Sequence, residues 1–230
     1  MTDRSLASAV GSAEHRALAR RAVAESLVVL KNTRGILPLA RSARLFVAGK
    51  NADDIGGQSG GWTVTWQGAP GPITQGTSIL AGIRELVGSA RTVDYSADGS
   101  GATGHDVAIA VLGERPYAEY QGDRKDDMRL DATDRQTLAN LKAAGIPIVV
   151  VLVSGRPLVV TDELPEWDAL VAAWLPGTEG GGVADVLFGD VPATGRLGFT
   201  WPRSADQLPI NVGDAAYDPL FPFGFGLSLP

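Results

Sequence analysis

A chain of 230 residues, 44% hydrophobic and 20% charged, is long enough for one domain with a substantial core and ordinary in composition for a globular protein. Its formal net charge of −6, with no basic cluster interleaved with aromatics, argues against a phosphate-binding surface, so no nucleic-acid partner is expected. The lack of cysteine excludes disulfides and thiolate–metal sites, and no apolar run approaches the roughly 18 residues that cross a membrane, so no membrane partner is expected.

The first stretch, MTDRSLASAVGSAEHR, has no apolar core and is no signal peptide. Residues 1–12 read as an extension of a single domain covering 1–230. The chain is expected to be soluble, and its compartment stays open. The abrupt start fits a truncated piece of a longer protein.

Residues 14–31, EHRALARRAVAESLVVLK, place Leu18, Ala22, Leu27 and Leu30 at near-helical spacing behind a Ser12 N-cap, which predicts one helix. ARLFVAG at 43–49 predicts a short buried strand, and a Gly-rich stretch runs from there to about residue 76. Thr77 is placed to cap the helix TSILAGIRELVG, and RTVDY at 91–95 predicts a strand. DVAIAVLG at 106–113 is a continuous apolar strand. Thr133 and Gln136 have capping-box spacing at the head of DRQTLANLKAAG, which Gly145 closes. PIVVVLVSG at 147–155 and ALVAAWLPG at 169–177 read as two further buried strands, and Thr178 opens a glycine-weakened helix. The tail from 196 to 230, rich in Pro, Gly and aromatics, reads as irregular.

Strands apolar on both faces need cover on both sides. The expectation is an α/β fold: a doubly wound, mostly parallel sheet with helices on both faces. Such sheets gather their ligand sites beyond the carboxyl ends of the strands. The loops after Ala48, Gly113, Val153 and Leu175 are therefore expected at one edge.

Several stretches carry candidate chemistry. Gly57-Gln58-Ser59-Gly60-Gly61 matches G-x-S-x-G, but an alternating segment follows instead of a helix, and neither histidine, His15 or His105, has the position a serine-hydrolase triad requires. The same loop lacks G-x-G-x-x-G spacing, which disfavours a nucleotide-binding module. No metal-ligand spacing is present, so no metal and no cofactor is expected. Asp53–Asp54 and Asp126–Asp127 read as solvated loop charges. Trp62 and Trp66 in WTVTW share a face if the segment is a strand, and form either a sugar-stacking platform or part of the core. After Gly113, the segment GERPYAEYQGD offers Glu114, Glu119 and Asp123 as candidate general acids, or as loop acids paired with Arg115, Arg124 or Lys125. Arg156 is a further partner or a ligand clamp.

Seven stretches, in order along most of the chain, resemble the C-terminal α/β sandwich domain of glycoside hydrolase family 3, which includes β-glucosidases and exo-acting β-glucan glucohydrolases. They are EHRALARRAVAESLVVLKN, VAGKNADDIGGQSGGWTVTWQG, GERPYAEYQGD, LVSGRPLVV, ALVAAWLPGTEGGGVADVLFGD, TGRLGFTWPRSADQLPINVGD and YDPLFPFGFGLS. The resemblance implies a six-stranded sheet and a partner (β/α)8 barrel, in cis or in trans, with the active site between them. It implies that Glu119 is the general acid/base of a retaining β-glucosidase, that Glu114 is structural, and that Trp66, with Trp62 beside it, stacks on the β-glucoside or β-glucan substrate. The family's nucleophile is a barrel aspartate, and no segment of these 230 residues matches the barrel or its nucleophile. The chain thus resembles half of an active site, inactive alone. Its loop face around Trp62, Trp66 and Tyr120 is expected to self-associate or to be mobile. Close relatives often carry Cys at Ser59. The alternative from another class is a free-standing glucan- or protein-binding module.

Overall fold

The computed structural model of the chain describes residues 4–89, 91–124 and 127–229. Its centre is a six-stranded sheet in the order β1-β6-β5-β4-β2-β3. The strands are β1 (Val28–Asn32), β2 (Leu45–Ala48), β3 (Val93–Ser96), β4 (Val107–Gly113), β5 (Ile148–Val153) and β6 (Ala169–Trp174). β2 through β6 run parallel, and β1 pairs antiparallel with β6 at the edge. The chain leaves β2 toward β3 on one side and returns to β4 on the other, so the sheet is doubly wound, with a crevice at its carboxyl edge.

The alternation of side chains along each strand divides the interior in two. Leu45, Val47, Ile109, Val111, Val149 and Val151 face one layer, shared with residues of helices α1 (Ala13–Ser26), α3 (Ile79–Val87) and α5 (Gly181–Leu187). Phe46, Ala48, Ala108, Ala110, Val150 and Leu152 face the other, shared with Leu138 and Leu141 of helix α4 (Ala132–Ala144). A short α2 (Ile55–Ser59) lies in the Gly-rich stretch. The irregular tail completes the second layer. Leu197, Trp201 and Phe221 are buried there, and the Trp201 indole donates to the Leu158 carbonyl at 2.8 Å. No helix among the described residues is long and apolar enough to cross a membrane.

Four local expectations need correction. The single helix over 14–31 ends at Ser26, and Val28–Asn32 is a strand. Val28, Val29 and Leu30 are buried on both sheet faces, and the β-branched pair suits that position, whereas Leu18 on the helix is 56% exposed. The cap of α3 is Ser78, not Thr77, because Thr77 pairs through its main chain with Thr178 and Gly180. The cap of α4 is Asp131, whose carboxylate accepts from the Asp134 N–H at 2.9 Å, so the helix begins before Thr133. The last helix starts at Gly181, after a turn through Thr178–Gly180. Ser12 and Gly145 close helix ends as expected. Of the N-terminal extension, Ser5–Ala9 form an exposed single-turn helix, and residues 1–3 lie outside the described part.

A charge cluster centred on the buried Asp134 ties the helix layer to the sheet edge. Lys50, just after β2, reaches Asp131 at 2.7 Å and Asp134 at 2.8 Å, and Asp134 also accepts the Gly113 N–H at 3.1 Å. Burial outweighs the attraction of Lys50 and pushes the Asp134 carboxyl up to about 6. In the unfolded chain this group ionises near 3.8, so between those values the folded state holds a proton that the unfolded state has lost. Stability from this group is therefore highest at low pH and falls as pH rises through about 6. Asp134→Asn should flatten that slope: in urea unfolding, the loss of stability between about pH 4 and about pH 7 should be smaller in the variant than in the parent.

Candidate active site

The carboxyl ends of β2, β4, β5 and β6 deliver their loops to one edge, where Gly57, Gly60, Gly61, Glu114, Tyr117, Ser154 and Leu175 border a common cavity of about 220 Å3. At the end of β4 the backbone turns at Gly113, with φ +145, where a Cβ would lie 1.8 Å from the Val153 carbonyl oxygen. Glu114 follows and is buried. Its carboxylate accepts from Arg156 Nη2 at 2.6 Å and Nε at 3.1 and 3.2 Å, from Arg124 Nη1 at 3.2 Å and from Ser154 Oγ at 2.6 Å. Arg156 also donates to the Gly122 carbonyl at 2.6 Å and lies 4.4 Å above the Tyr117 ring. Burial, together with the Glu114 charge, pushes the Tyr117 hydroxyl up to about 12. Glu114 thus fastens both ends of the loop Arg115–Arg124 to β5. Arg156 is its partner. Arg115 makes no hydrogen bond or ion pair among the described residues, and Lys125 and Asp126 lie outside them.

The Gly-rich stretch is pinned rather than loose. Asp54 caps α2 through the Gly57 N–H at 2.7 Å and also holds the Gly71 N–H at 2.7 Å, closing the segment at both ends. Asp53 accepts from Ser78 Oγ, and Asp127 accepts the Arg129 N–H, so these acids are not merely solvated charges. Gln58 is fully buried, donates to the Thr77 and Gly177 carbonyls and accepts the Ile79 N–H at 2.8 Å. Ser59 donates to the Ile55 carbonyl within α2 at 2.8 Å, which removes the serine-nucleophile reading.

WTVTW is not a strand. Trp62 and Val64 have φ of +59 and +63, and the Trp62 N–H closes on the Trp66 carbonyl at 2.8 Å. The turn still brings the two indoles together, with centroids 6.3 Å apart, and Trp66 meets the Tyr120 ring edge-on at 6.2 Å. Trp62, Trp66 and Tyr120 are 70%, 47% and 78% exposed, so they form a surface platform and not core. The turn can lie against the β4 loop because Gly61 has no side chain. A Cβ there would be 1.9 Å from the Tyr117 carbonyl oxygen.

At this junction stands Glu119. Trp66 Nε1 donates to Oε2 at 2.6 Å and Trp62 Nε1 to Oε1 at 3.3 Å. The Trp66 hydrogen bond foremost, then the backbone, then Trp62, hold its carboxyl below the ordinary glutamate range. Of the two glutamates in the loop, Glu114 is committed to ion pairs and Glu119 is presented to solvent. The structure therefore brings Glu119, Trp66 and Trp62 into one cluster with Tyr120. Sequence reasoning missed Gln58 and Gln67 here, since glutamine in a Gly-rich segment carries no spacing signal. A surface carboxylate held by two indole N–H groups is a group that can take up and release a proton.

Comparison with known proteins bears on this arrangement. The family model described as "Glycosyl hydrolase family 3 C-terminal domain" matches residues 27–229. Among curated relatives, the periplasmic beta-glucosidase of Salmonella typhimurium is 32% identical, over 93% of this chain and 35% of its own length. The lysosomal beta glucosidase of Dictyostelium discoideum is 33% identical, over 95% and 30% respectively. Among solved structures, the exo-1,3/1,4-beta-glucanase of a Pseudoalteromonas species superposes with a TM-score of 0.88 at 47% identity, covering 95% of this chain and 29% of that one. A beta-glucosidase from Listeria innocua superposes with 0.80 at 28% identity, covering 95% and 34%. The chain spans about a third of the length of the proteins it matches.

The two loop glutamates should separate in stability measurements. Glu114→Ala leaves two arginines without their shared carboxylate in a buried setting and should cost about 3–5 kcal/mol in urea unfolding. Glu119→Ala should leave the urea midpoint close to that of the parent chain, because its carboxylate is exposed.

Proposed function

The chain belongs to glycosyl hydrolase family 3, as its C-terminal domain, and on that premise we propose that it supplies the general acid/base, Glu119, to a retaining β-glucosidase site completed by a (β/α)8 barrel. The observation that carries this reading is the Glu119 carboxylate held between two exposed indoles, at the edge where loops of a doubly wound sheet converge. A glucosyl ring presents an apolar C–H face that suits Trp66, whose indole N–H lies 2.6 Å from the Glu119 carboxylate.

Retaining hydrolysis needs two carboxyl groups about 5–5.5 Å apart. One attacks the anomeric carbon, while the other protonates the leaving oxygen and then takes a proton from water. The nucleophile would come from the barrel. Taken alone, this chain keeps Glu119 ionised at neutral pH, which is the base form, because its indole hydrogen bonds favour the anion. The acid form requires the opposite influence. A second carboxylate close by, and exclusion of water by a facing domain, both raise a carboxyl pKa. Assembly with the barrel would thus create the acid. The same exposed platform also suits a non-catalytic glucan-binding module, and catalysis distinguishes the two.

Two measurements test the proposal. The 230-residue chain alone should not hydrolyse an aryl β-glucoside measurably, since the covalent route has no nucleophile. Robust turnover with retention would overturn the assignment of the nucleophile to the barrel. In an enzyme joining this chain to its barrel, Glu119→Gln should slow hydrolysis of a poor-leaving-group substrate by about 10²–10⁴-fold. An activated aryl glucoside should lose less in its first step, and azide should restore turnover and yield the β-glycosyl azide. Glu114→Gln should give no azide rescue. Rescue at Glu114 with wild-type behaviour at Glu119 would transfer the role to the other glutamate.

A further inference from the structure

Gln67 follows Trp66 directly, and its carboxamide does not point to solvent for lack of a partner. Its Oε1 accepts the Ala118 N–H at 2.8 Å, and its Nε2 donates to the Glu119 carbonyl at 3.2 Å. One side chain therefore grips the main chain on both sides of the residue pair that carries the carboxylate. The neighbouring residue grips the carboxylate itself, through the Trp66 indole at 2.6 Å. We propose that Gln67 is a positioning residue for the general acid/base: it locks the Ala118–Glu119 main chain to the tryptophan loop, so that the sugar-stacking indole and the Glu119 carboxylate form a single unit.

The surrounding geometry explains why such a lock is needed. The turn 118–122 leaves β4 far behind and is closed by its own bonds, Gly122 N–H to the Ala118 carbonyl at 3.0 Å and Gln121 N–H to the Glu119 carbonyl at 2.9 Å. Those bonds shape the turn without fixing where it sits. Tyr120 has a φ of +71, a conformation that costs a non-glycine residue energy and is kept only when its surroundings hold it. Gly122 and Arg124, held by the Glu114 ion-pair cluster, anchor one side. The other side rests on Gln67. Ala118 is buried, so removing the Gln67 acceptor leaves its N–H unpaired and pulls the turn toward a new partner. The tryptophan loop is itself fixed, because Gly68, next in sequence, packs with φ +70 against Pro116, where a Cβ would lie 2.7 Å from that ring's Cβ. Catalysis by proton transfer tolerates little displacement, and a misplacement of about 1 Å costs on the order of 10²-fold.

This inference rests on the acid/base reading of Glu119, and the test separates the two. The first arm uses the 230-residue chain alone and follows the indole N–H resonances of Trp62 and Trp66 by NMR as pH is lowered. In the parent both should move together with one midpoint below the ordinary glutamate range, reporting protonation of Glu119. Gln67→Met keeps the length and removes both hydrogen bonds, so the Trp66 resonance should lose that movement or shift its midpoint upward. Gln67→Glu keeps the acceptor for Ala118 and should retain part of the coupling. Indole titrations unchanged in Gln67→Met would overturn the lock. The second arm joins the chain to its barrel. There Gln67→Met should lower kcat about 10²-fold with KM little changed, and should displace the alkaline limb of the pH–rate profile, the limb set by loss of the general acid's proton. A lost indole signature with unchanged kcat and pH profile would overturn the catalytic role. Wild-type activity in Glu119→Gln would overturn the acid/base reading instead, leaving the NMR arm to judge the lock itself.

Discussion

The buried cluster of Glu114 with Arg156, Arg124 and Ser154 is the constraint on which the rest of the site depends. Taking a carboxylate and a guanidinium out of water is costly, and the cost is offset only when the lone pairs are fully used. Here the Glu114 lone pairs are used, since both its oxygens accept, and Arg156 also donates from Nη1 to the Gly122 carbonyl. That last bond matters most for the site. It ties the far end of the β4 loop to the same residue that holds its beginning, so the segment Arg115–Arg124 is drawn back toward β5 as a closed loop. Tyr117, beneath the Arg156 guanidinium, fills the interior of that loop.

A closed loop would still be free to tilt at its tip, and the tryptophan loop removes that freedom. The fit is a matter of backbone meeting backbone. Gly61 against the Tyr117 carbonyl, and Gly68 against the Gly60 carbonyl and the Pro116 ring, leave no room for side chains, which is why glycines flank the tryptophans. With the main chains this close, Gln67 and the two indoles reach Glu119 from one side. Asp54 and Gln58 hold the tryptophan loop in turn, and through Gln58 the grip extends to α3 and the loop after β6. The carboxylate therefore stands at the end of a chain of fixed contacts that starts in the sheet, although it is itself fully open to solvent.

The opposite sheet face shows how the domain saves a helix. Its cover is α4 together with the irregular tail, in which Trp201 is buried against Phe221 and Trp174. The tail makes its own backbone pairings, Trp201 with Phe221 and Leu227 with Val29, so buried amides are satisfied without a continuous helix. Trp174 ends β6 with φ +55 and donates its indole to the Ser26 carbonyl, linking the tail side to the end of α1.

The sequence by itself determined the layered α/β fold, because continuous apolar strands can be buried only between two covers and because the separating segments have helix caps and glycine stops. It also located the site edge, since parallel strands of that order send their loops to one side. Its motifs, taken as a resemblance, identified the family and singled out Glu119 over Glu114. Local periodicity failed where one pattern fits two states: Leu27 and Leu30 continue the helical spacing of α1, yet burial on both sheet faces turns Val28–Asn32 into an antiparallel edge strand. It failed again at WTVTW, where an alternating pattern folds as a turn with two left-handed residues. Only the tertiary structure decided which partners hold each glutamate, and which glutamines hold the loops. Those outcomes rest on hydrogen bonds between residues 42 and 53 positions apart, Arg156 to Glu114 and Trp66 to Glu119, and a partner at that separation leaves no periodic trace in the chain.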